Sequence, residues 1–346
     1  MTLRLGLLLS GSHPLPSAVE LARLAECSGF DDVWVADEKF FRDPYVSLAA
    51  IAGHTSRLRL GTGVTDPYAR HPALTGMALA SLDELAPGRA VLGLGAGGSG
   101  FPAMGIPRRK PTVAVREAIE VIRRLWRGEV VDLRGEVIAF SNGRLNFAPP
   151  RADIPVYVAA RGRQMLRLAG EVADGVIIAP YASPPGLRYA LGLIEAGAQR
   201  VGRSLADLDT VARVDVCIAP ERAAAVAAVK RWVALPLWSS YPNWDYLDPL
   251  PGLRVPDRVT QILASRDYGR IDEAAGYIPD EFVEHLVVAG TLDDVVRQMR
   301  AIAATGVTQI TIHPVPAGNL GERNLLELFA TRIMPELGDC TAAATR

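Results

Sequence analysis

Two adjacent carboxylates, Asp37 and Glu38, directly follow residues 32–36, an apolar run that reads as a buried strand. A carboxyl group at the mouth of an apolar pocket can hold a proton and donate it to a substrate. It can also bind a cationic, imine-like group. We therefore expect Asp37 and Glu38 to provide acid or electrostatic chemistry. The structural alternative is that the pair only caps the helix that follows.

Glycine-rich segments follow the next two apolar runs, at residues 58–61 and 90–94. Glycine lets the backbone come close to a bulky ligand, so both segments are candidates for contact with a cofactor. The second segment lacks a strict GxGxxG spacing, and a dinucleotide fingerprint is therefore weakly indicated. The expected cofactor-binding residues in these two segments are Gly63, Val64, Thr65, Gly95, Ala96, Gly97 and Gly98.

A further apolar run ends in the sequence Ala-Ala-Arg-Gly-Arg, just before a predicted helix. Free N–H groups at a helix start, with an arginine beside them, are suited to bind a phosphate group. The alternative is that the two arginines are solvated residues of the helix start. The expected phosphate-binding residues are Ala159, Ala160, Arg161, Gly162 and Arg163.

Other polar side chains near predicted strand ends are candidates for contact with a substrate or cofactor: His13, His71, Tyr181 and His313. The His-Pro pair at residues 71–72 could instead only set a turn. We expect no metal site, because HxH and HExxH spacings and clustered carboxylates are absent from the sequence. GxSxG and P-loop motifs are also absent.

Strands and helices must alternate to place these side chains together. Continuous apolar runs separated by helical patterns predict a parallel sheet covered by helices. Eight such strands fit an α/β fold of the (β/α)8 TIM-barrel type, in which the carboxyl ends of the strands form one mouth. An open, doubly wound sheet is the alternative. We expect one barrel domain over residues 1–340 and a flexible tail over 341–346.

Two segments interrupt the repeat. Residues of about 128–151 read as a short hairpin, and residues of about 235–279 are rich in Trp, Tyr, Pro and Asp. The second segment is too long for an ordinary connection and could cover a pocket, or could serve in packing or dimer contact. Thr291 and Asp294 have the spacing of a helix capping box.

Composition limits the possible partners. The 37 basic and 38 acidic residues give a formal net charge of −1, which argues against nucleic acid or an anionic membrane as the main partner. We find neither a spanning apolar run nor a signal-peptide pattern. Cys27 and Cys217 are expected in the core and Cys340 in a loose tail, without disulfides, as in a cytoplasmic protein.

The stretch from 58 to 98, LRLGTGVTDPYARHPALTGMALASLDELAPGRAVLGLGAGG, resembles the bacterial-luciferase-like superfamily. A second stretch, IPDEFVEHLVVAGTLDDVVRQMRAIAATGVTQITI from residue 278, resembles the same group. Within the superfamily the chain is similar to the deazaflavin (coenzyme F420) branch, which includes the methylene-tetrahydromethanopterin reductases. The resemblance covers most of the chain and is strongest at 30–98, 154–181 and 278–313.

This resemblance implies a homodimeric F420-dependent oxidoreductase that moves a hydride to or from an imine, iminium ion or enone. It also implies a non-prolyl cis peptide between Gly63 and Val64, behind the deazaflavin ring. Many members carry Asp-His where this chain has Asp37-Glu38. Glu38 could therefore replace that histidine as proton donor or bind a cationic substrate. FMN-dependent monooxygenation, or flavin binding without catalysis on the same barrel, remain the alternatives.

Overall fold

The computed structural model describes residues 3–98 and 100–338. The predicted alternation of strands and helices is present along this chain, and most strands are buried on both faces. The strands are β1 Arg4–Leu9, β2 Asp32–Val35, β3 Arg59–Thr62, β4 Ala90–Leu94, β5 Val131–Arg134, β6 Ala139–Gly143, β7 Val156–Ala160, β8 Gly175–Ile178, β9 Asp209–Ile218, β10 Val288–Gly290 and β11 Gln309–Pro314.

Eight parallel strands close into a barrel in the order β1, β2, β3, β4, β7, β8, β9, β11. Closure is made by β1 pairing with β11 and by β8 pairing with β9. In register, Gly6 of β1 lies opposite Asp32 of β2 and Thr311 of β11. The predicted TIM barrel is confirmed, and the ring of pairings excludes the open sheet. The carboxyl ends of all eight strands therefore surround one opening.

Helices cover the outside of the barrel. They are α1 Leu15–Cys27, α2 Pro44–Ala52, α3 Pro72–Leu85, α4 Pro111–Trp126, α5 Arg163–Val172, α6 Pro184–Gln199, α7 Arg222–Ser240, α8 Asp257–Ala264, α9 Ile271–Ala275, α10 Asp280–Leu286, α11 Leu292–Ala303, α12 Glu322–Leu328 and α13 Met334–Gly338. The predicted capping box at α11 is confirmed, because the Thr291 hydroxyl and the Asp294 carboxylate each accept from the other's backbone N–H. In the part of the chain described, we find no helix that is both long and apolar enough to cross a membrane.

The predicted hairpin near 128–151 is formed by β5 and β6, which pair antiparallel. Its turn is held by the Glu117 carboxylate of α4, which accepts hydrogen bonds from the N–H groups of Glu136, Val137 and Ile138. Three charge-assisted hydrogen bonds fix the hairpin on the outside of α4.

The aromatic segment differs from the sequence-based expectation at its start. α7 continues through Pro236 to Ser240, so the irregular chain begins after α7 rather than at Leu235. Short helical turns and the helices α8 and α9 follow, and the segment is partly helical as predicted. Proline usually disrupts a helix interior, yet α7 contains Pro236 and continues past it. The short strand β10, which pairs with the end of β9, was also not predicted.

A charged network closes the opposite, amino-terminal end of the barrel. Arg59 of β3 forms an ion pair with Asp32 of β2 and donates to the Tyr157 hydroxyl at 3.1 Å. Tyr157 also hydrogen-bonds Asp209, which forms an ion pair with Arg4. Only 1% of Asp32 is exposed. The network joins the strands β1, β2, β3, β7 and β9, and its place at the barrel bottom indicates a role in stability.

Candidate active site

A cavity of about 460 Å³ opens at the carboxyl ends of the barrel strands. Every one of the eight barrel strands, or the loop directly after it, contributes to its wall. The barrel residues that line it include Leu8, Trp34, Asp37, Glu38, Gly63, Val64, Gly98, Ala159, Arg161, Ile177, Arg213, Asp215, Thr311 and His313. Its size and its mixture of apolar wall and few charged groups are typical of a small-molecule site.

One helix builds much of the remaining wall. α7 contributes Arg231, Trp232, Leu235, Pro236, Trp238 and Ser239. Beyond it, Tyr268 lies edge-on to Trp238, with ring centroids 5.4 Å apart. The aromatic segment after α7 therefore takes part in the cavity through Tyr268.

The strand end at Gly63 has the backbone geometry that the resemblance implied. The peptide bond between Gly63 and Val64 is cis, and both residues line the cavity. Val64 packs into the space that a side chain would occupy at Gly95, where a Cβ would lie 2.8 Å from Val64 Cγ2. The two glycine-rich segments are thus fitted to each other, with the Val64 side chain between them.

The second glycine segment contributes less to the cavity than expected. A Cβ at Gly97 would lie 2.3 Å from the Phe101 ring, so this glycine makes room for protein rather than for a ligand. Gly98 lines the cavity and has no neighbour within 4 Å of its Cβ position. Gly95, Ala96 and Gly97 lie outside the cavity wall. Of the predicted contacts in this segment, the structure places only Gly98 at the cavity.

Asp37 lines the cavity, but both of its carboxylate oxygens have partners. Lys39 forms an ion pair with Oδ1 at 3.0 Å, and the Thr65 hydroxyl donates to Oδ2 at 2.7 Å. The Lys39 ammonium also reaches Asp66 at 2.7 Å. Asp37 and Thr65 therefore connect the ends of β2 and β3, and this arrangement favours the structural interpretation of Asp37 over acid chemistry.

Glu38 is held as a hydrogen-bond acceptor at the rim of the cavity. Its Oε2 accepts from the Ser10 hydroxyl at 2.8 Å and from the Gly11 N–H at 2.9 Å. In the described part of the chain no hydrogen bond reaches Oε1. A carboxylate with one oxygen fixed and one free is suited to bind a cationic group in the cavity.

Arg161 lines the cavity and is held by α7. Its guanidinium donates to Ser239 Oγ at 3.0 Å, to Ser240 Oγ at 3.1 Å and to the Pro236 carbonyl at 3.3 Å. These partners are neutral, and among the residues described no carboxylate forms an ion pair with it. Burial lowers the pKa of Arg161, and nearby Arg108 adds to the lowering. A buried guanidinium without a counter-ion attracts an anionic ligand group.

The rest of the predicted phosphate segment is placed differently. Arg163 points outward, is half exposed and pairs with Asp248 at 2.7 Å. Asp245 Oδ1 lies 3.8 Å from the Cβ position of Gly162, at the start of α5. Ala159 lines the cavity, whereas Ala160 does not. Two carboxylates thus flank the helix start, and the anion-binding character of this segment resides in Arg161.

His71 and Tyr181 lie outside the cavity wall, contrary to expectation. His71 caps α3 by accepting from the Ala73 N–H, and its ring contacts the hairpin at Ala139. Tyr181 is fully buried and donates to the Tyr246 carbonyl at 2.7 Å. His71 therefore sets the start of α3, in agreement with the alternative interpretation of the His-Pro pair. Tyr181 anchors the segment that follows α7.

His13 also has a structural partner. Its Nε2 lies 2.9 Å from Glu322, and its Nδ1 lies 2.8 Å from the Ser10 carbonyl. The hydrogen bond to Glu322 raises the pKa of His13 above its ordinary value. The pair ties the loop after β1 to α12, with side chains that are 12% and 23% exposed.

This pair predicts a pH-dependent contribution to stability. Because the pKa of His13 is higher in the folded chain, the stabilisation is complete below about pH 6.5 and is lost as pH rises through the folded value. We expect a loss of about 1 kcal/mol in the free energy of unfolding. His285, whose pKa burial lowers, has its effect in a different range: it reduces stability as pH falls below about 6.5 through its folded value. Urea unfolding of wild type and His13→Gln across this pH range measures the contribution of His13 to the free energy of unfolding. The variant His54→Gln, at an exposed histidine, is the control and should behave as wild type. Identical pH profiles for all three proteins would disprove the prediction.

Two site residues were not predicted, Arg213 and Asp215 of β9. Arg213 donates twice to Asp215, at 2.8 Å to each carboxylate oxygen, and His313 Nδ1 lies 2.8 Å from Asp215 Oδ1. All three line the cavity. Burial would raise the pKa of Asp215, but Arg213 and His313 outweigh it and lower the pKa. Two charges spaced two apart in an apolar strand lie on the same face, and this spacing was the signal available in the sequence.

Metal ligation has no evident place in this arrangement. Within residues 3–98 and 100–338 no group of three or more His, Cys, Asp or Glu side chains lies together as a metal site would require. Among the charged groups of the cavity, Arg213 and Asp215 pair with each other, whereas the hydrogen bonds of Glu38 and Arg161 are with neutral groups.

The fold and the cavity agree with a family match. A family model described as luciferase-like monooxygenase matches residues 3–309, and the chain belongs to this luciferase-like family. A 5,10-methylenetetrahydromethanopterin reductase of Methanolobus tindarius is 35% identical over 304 residues, 86% of this chain and 90% of that protein.

Two further relatives extend the comparison. An F420-dependent glucose-6-phosphate dehydrogenase of Beutenbergia cavernae is 33% identical and aligns over 97% of each chain. The solved structure of the coenzyme F420-dependent tetrahydromethanopterin reductase of Methanopyrus kandleri superposes with a TM-score of 0.84 and 28% identity. That superposition covers 97% of this chain and all of the other. The likeness therefore spans the whole barrel.

Proposed function

We propose that this protein transfers a hydride between coenzyme F420 and an unsaturated small molecule, such as an imine, an iminium ion or an enone. The observation that carries the proposal is the similarity over nearly the whole chain to reductases and dehydrogenases, two of which carry F420 in their names. These relatives support an F420-dependent oxidoreductase in the luciferase-like family. The reductase-like acceptor chemistry is our own extension of that support.

The residues of the cavity fit such a cofactor. Its deep wall is apolar and includes Val64, Ala159 and Ile177, against which a flat ring can lie. Arg161 supplies an uncompensated guanidinium on the same wall, suited to the phosphate of F420. When bound, the reduced deazaflavin ring supplies a hydride. The protein then has to place the acceptor against the ring and provide the matching charges.

We assign the binding of a cationic acceptor to Glu38. Its Oε2 is fixed by Ser10 and Gly11, and the carboxylate faces the cavity. An iminium group near it would be stabilised by a charge-assisted hydrogen bond or ion pair. Trp232 and Trp238 of α7 lie around the same space and would exclude water from the acceptor.

Titration of the purified protein with F420 and, separately, FMN tests the proposal by ring fluorescence. Tight F420 binding with weak FMN binding is expected, followed by turnover with imine or enone acceptors. Tight FMN binding would instead favour a monooxygenase, and binding of neither would favour a barrel without this catalysis.

We also propose that two copies form a homodimer in the cytoplasm. Light scattering in solution checks the dimer.

Arg161→Gln should weaken F420 binding by roughly 10–150-fold, since a hydrogen bond to a charged group contributes about 1.5–3 kcal/mol. The folded barrel should remain, because the guanidinium bonds only neutral groups of α7. Arg163→Gln is the matched comparison: this arginine is on the same loop but pairs with Asp248 outside the cavity. Fluorescence titration of both variants should show a large loss for the first and little change for the second. Equal losses would contradict the assignment.

A further inference from the structure

We propose that His313 exchanges a proton with the substrate and that Asp215, held by Arg213, is its positioning residue. The inference rests on the proposed function, because hydride transfer to an enone or a neutral imine leaves an anionic atom that must take up a proton. An iminium ion becomes a neutral amine and needs no proton. It concerns the wall of the cavity formed by β9 and β11, and only β1 separates β11 from β2, the strand that Asp37 and Glu38 follow.

The geometry of the three side chains is fixed by strand pairing. His313 of β11 lies directly opposite Asp215 of β9 in the parallel register. Nδ1 of His313 lies 2.8 Å from Asp215 Oδ1, and the two side chains are only 6% and 3% exposed. Arg213 holds Asp215 from the other side with two hydrogen bonds of 2.8 Å. Such bidentate pairing fixes the carboxylate in one orientation.

The second ring nitrogen of His313 is left for the cavity. Because Asp215 is a carboxylate, it accepts a hydrogen bond and so retains the proton on Nδ1. Among the described residues Nε2 has no hydrogen-bond partner, and His313 lines the cavity. Trp232 of α7 lies edge-on to the imidazole, with ring centroids 4.5 Å apart, and limits its rotation. Nε2 is thus the atom that can reach a substrate.

Charged and polar groups from several elements surround the imidazole of His313. Arg213 balances the charge of Asp215, so the pair as a whole leaves the imidazole without a net neighbouring charge. From α7, Arg231 faces the cavity and is paired with Asp272. From β1, the neighbouring loop contributes the hydroxyls of Ser10 and Ser12. The other ionisable side chains that line the cavity are Asp37, Glu38, Arg161 and Tyr268.

In the reductive direction, bound F420 would supply the hydride, and the acceptor carbon would take it with its electron pair. The Nε2–H bond of the imidazolium breaks, and a new N–H, O–H or C–H bond forms at the neighbouring atom of the acceptor. His313 becomes the neutral imidazole with its proton on Nδ1, still hydrogen-bonded to Asp215. In the oxidative direction the same nitrogen accepts the proton.

The tautomer can be measured in the protein without any cofactor. The chain has five histidines, so ¹⁵N-labelled imidazole signals are few, and the His313 signal is identified by its loss in His313→Gln. Long-range ¹H–¹⁵N spectra should show neutral His313 with its proton on Nδ1. A proton on Nε2 instead would overturn the proposal, whatever the behaviour of the variants.

Kinetics of the F420-loaded enzyme supply the second test. His313→Gln should lower kcat by roughly 10²–10⁴-fold and remove the fall of the reductive rate at high pH, with F420 affinity unchanged. Asp215→Asn should lower kcat less and move that fall to lower pH. His54→Gln, at an exposed histidine just after the end of α2, is the control. Full activity of His313→Gln would overturn the assignment. So would a fall of the reductive rate at high pH that persists in His313→Gln and disappears only in Glu38→Gln.

These outcomes are separable from failure of the proposed function. Absence of F420 binding to the wild-type protein would reject that function. The test of His313 would then be the tautomer measurement, which needs no cofactor. Normal F420 binding and turnover that are insensitive to His313→Gln would reject only the inference about His313. Should Asp215→Asn fail to fold because Arg213 is left unpaired, the wild-type tautomer still decides.

Discussion

Replacing Arg59 by methionine is expected to lower the free energy of unfolding by about 3–5 kcal/mol, because it leaves the Asp32 carboxylate buried without a counter-ion. Asp32 is 1% exposed, and Arg59 is its ion-pair partner at the bottom of the barrel. Burial raises the pKa of Asp32 even with Arg59 beside it. Methionine keeps most of the length of the arginine side chain, so the change tests the charge more than the packing.

Urea unfolding of the variant at several pH values measures the effect. Without Arg59, Asp32 should retain a proton to higher pH, so the loss of stability should be smaller at pH 4 than at pH 7. The double variant Arg59→Met with Asp32→Leu should recover much of the loss, because both charged partners are then removed. A single variant as stable as wild type at pH 7 would show that the pair contributes little.

Gly93→Ala is expected to destabilise the barrel by about 1–3 kcal/mol or more. A Cβ at Gly93 would lie 1.9 Å from the Thr62 carbonyl oxygen, and that contact is with backbone. No side-chain rotation can relieve it, so β3 and β4 must move apart. Thr62 and Gly93 are also joined by side-chain hydrogen bonds: the Thr62 hydroxyl donates to the Gly93 carbonyl at 2.7 Å and accepts from the Gly93 N–H at 3.1 Å.

Gly98→Ala is the matched control for Gly93→Ala. It adds the same methyl group in the loop that follows β4. No atom lies within 4 Å of the Cβ position of Gly98, and its backbone conformation does not require glycine. Thermal and urea unfolding should show a small change for this control and a large one for Gly93→Ala. If the two variants lost equal stability, close packing of β3 against β4 would not be the cause.

The barrel itself could be predicted because its strands are continuous apolar runs separated by helices. β10 could not, since Val288–Gly290 is only three residues long and directly follows α10. The end of α7 was also missed, because Pro236 lies inside a helix that the packing of its neighbours retains. Local patterns identify long elements well and fail where tertiary contacts override them.

The site was predicted unevenly for a related reason. Strand-end position is visible in a sequence, and it placed Glu38, Val64, Arg161 and His313 at the cavity. Side-chain direction is not visible, and the turn-forming His71 was therefore included without reaching it. The contacts that decide direction join residues far apart in the chain, as in the pairing of His313 with Asp215 across 98 positions.

The share of the cavity wall that α7 provides has an evolutionary consequence. Six cavity-lining residues lie within positions 231–239, on a single outer helix that belongs to none of the barrel's strand pairings. The strand pairings that place most strand-end residues are therefore separate from α7, although α7 also holds Arg161. If the proposed acceptor binds in this cavity, substitutions on α7 alone would change which acceptor fits, while the strand pairings of the barrel stay the same.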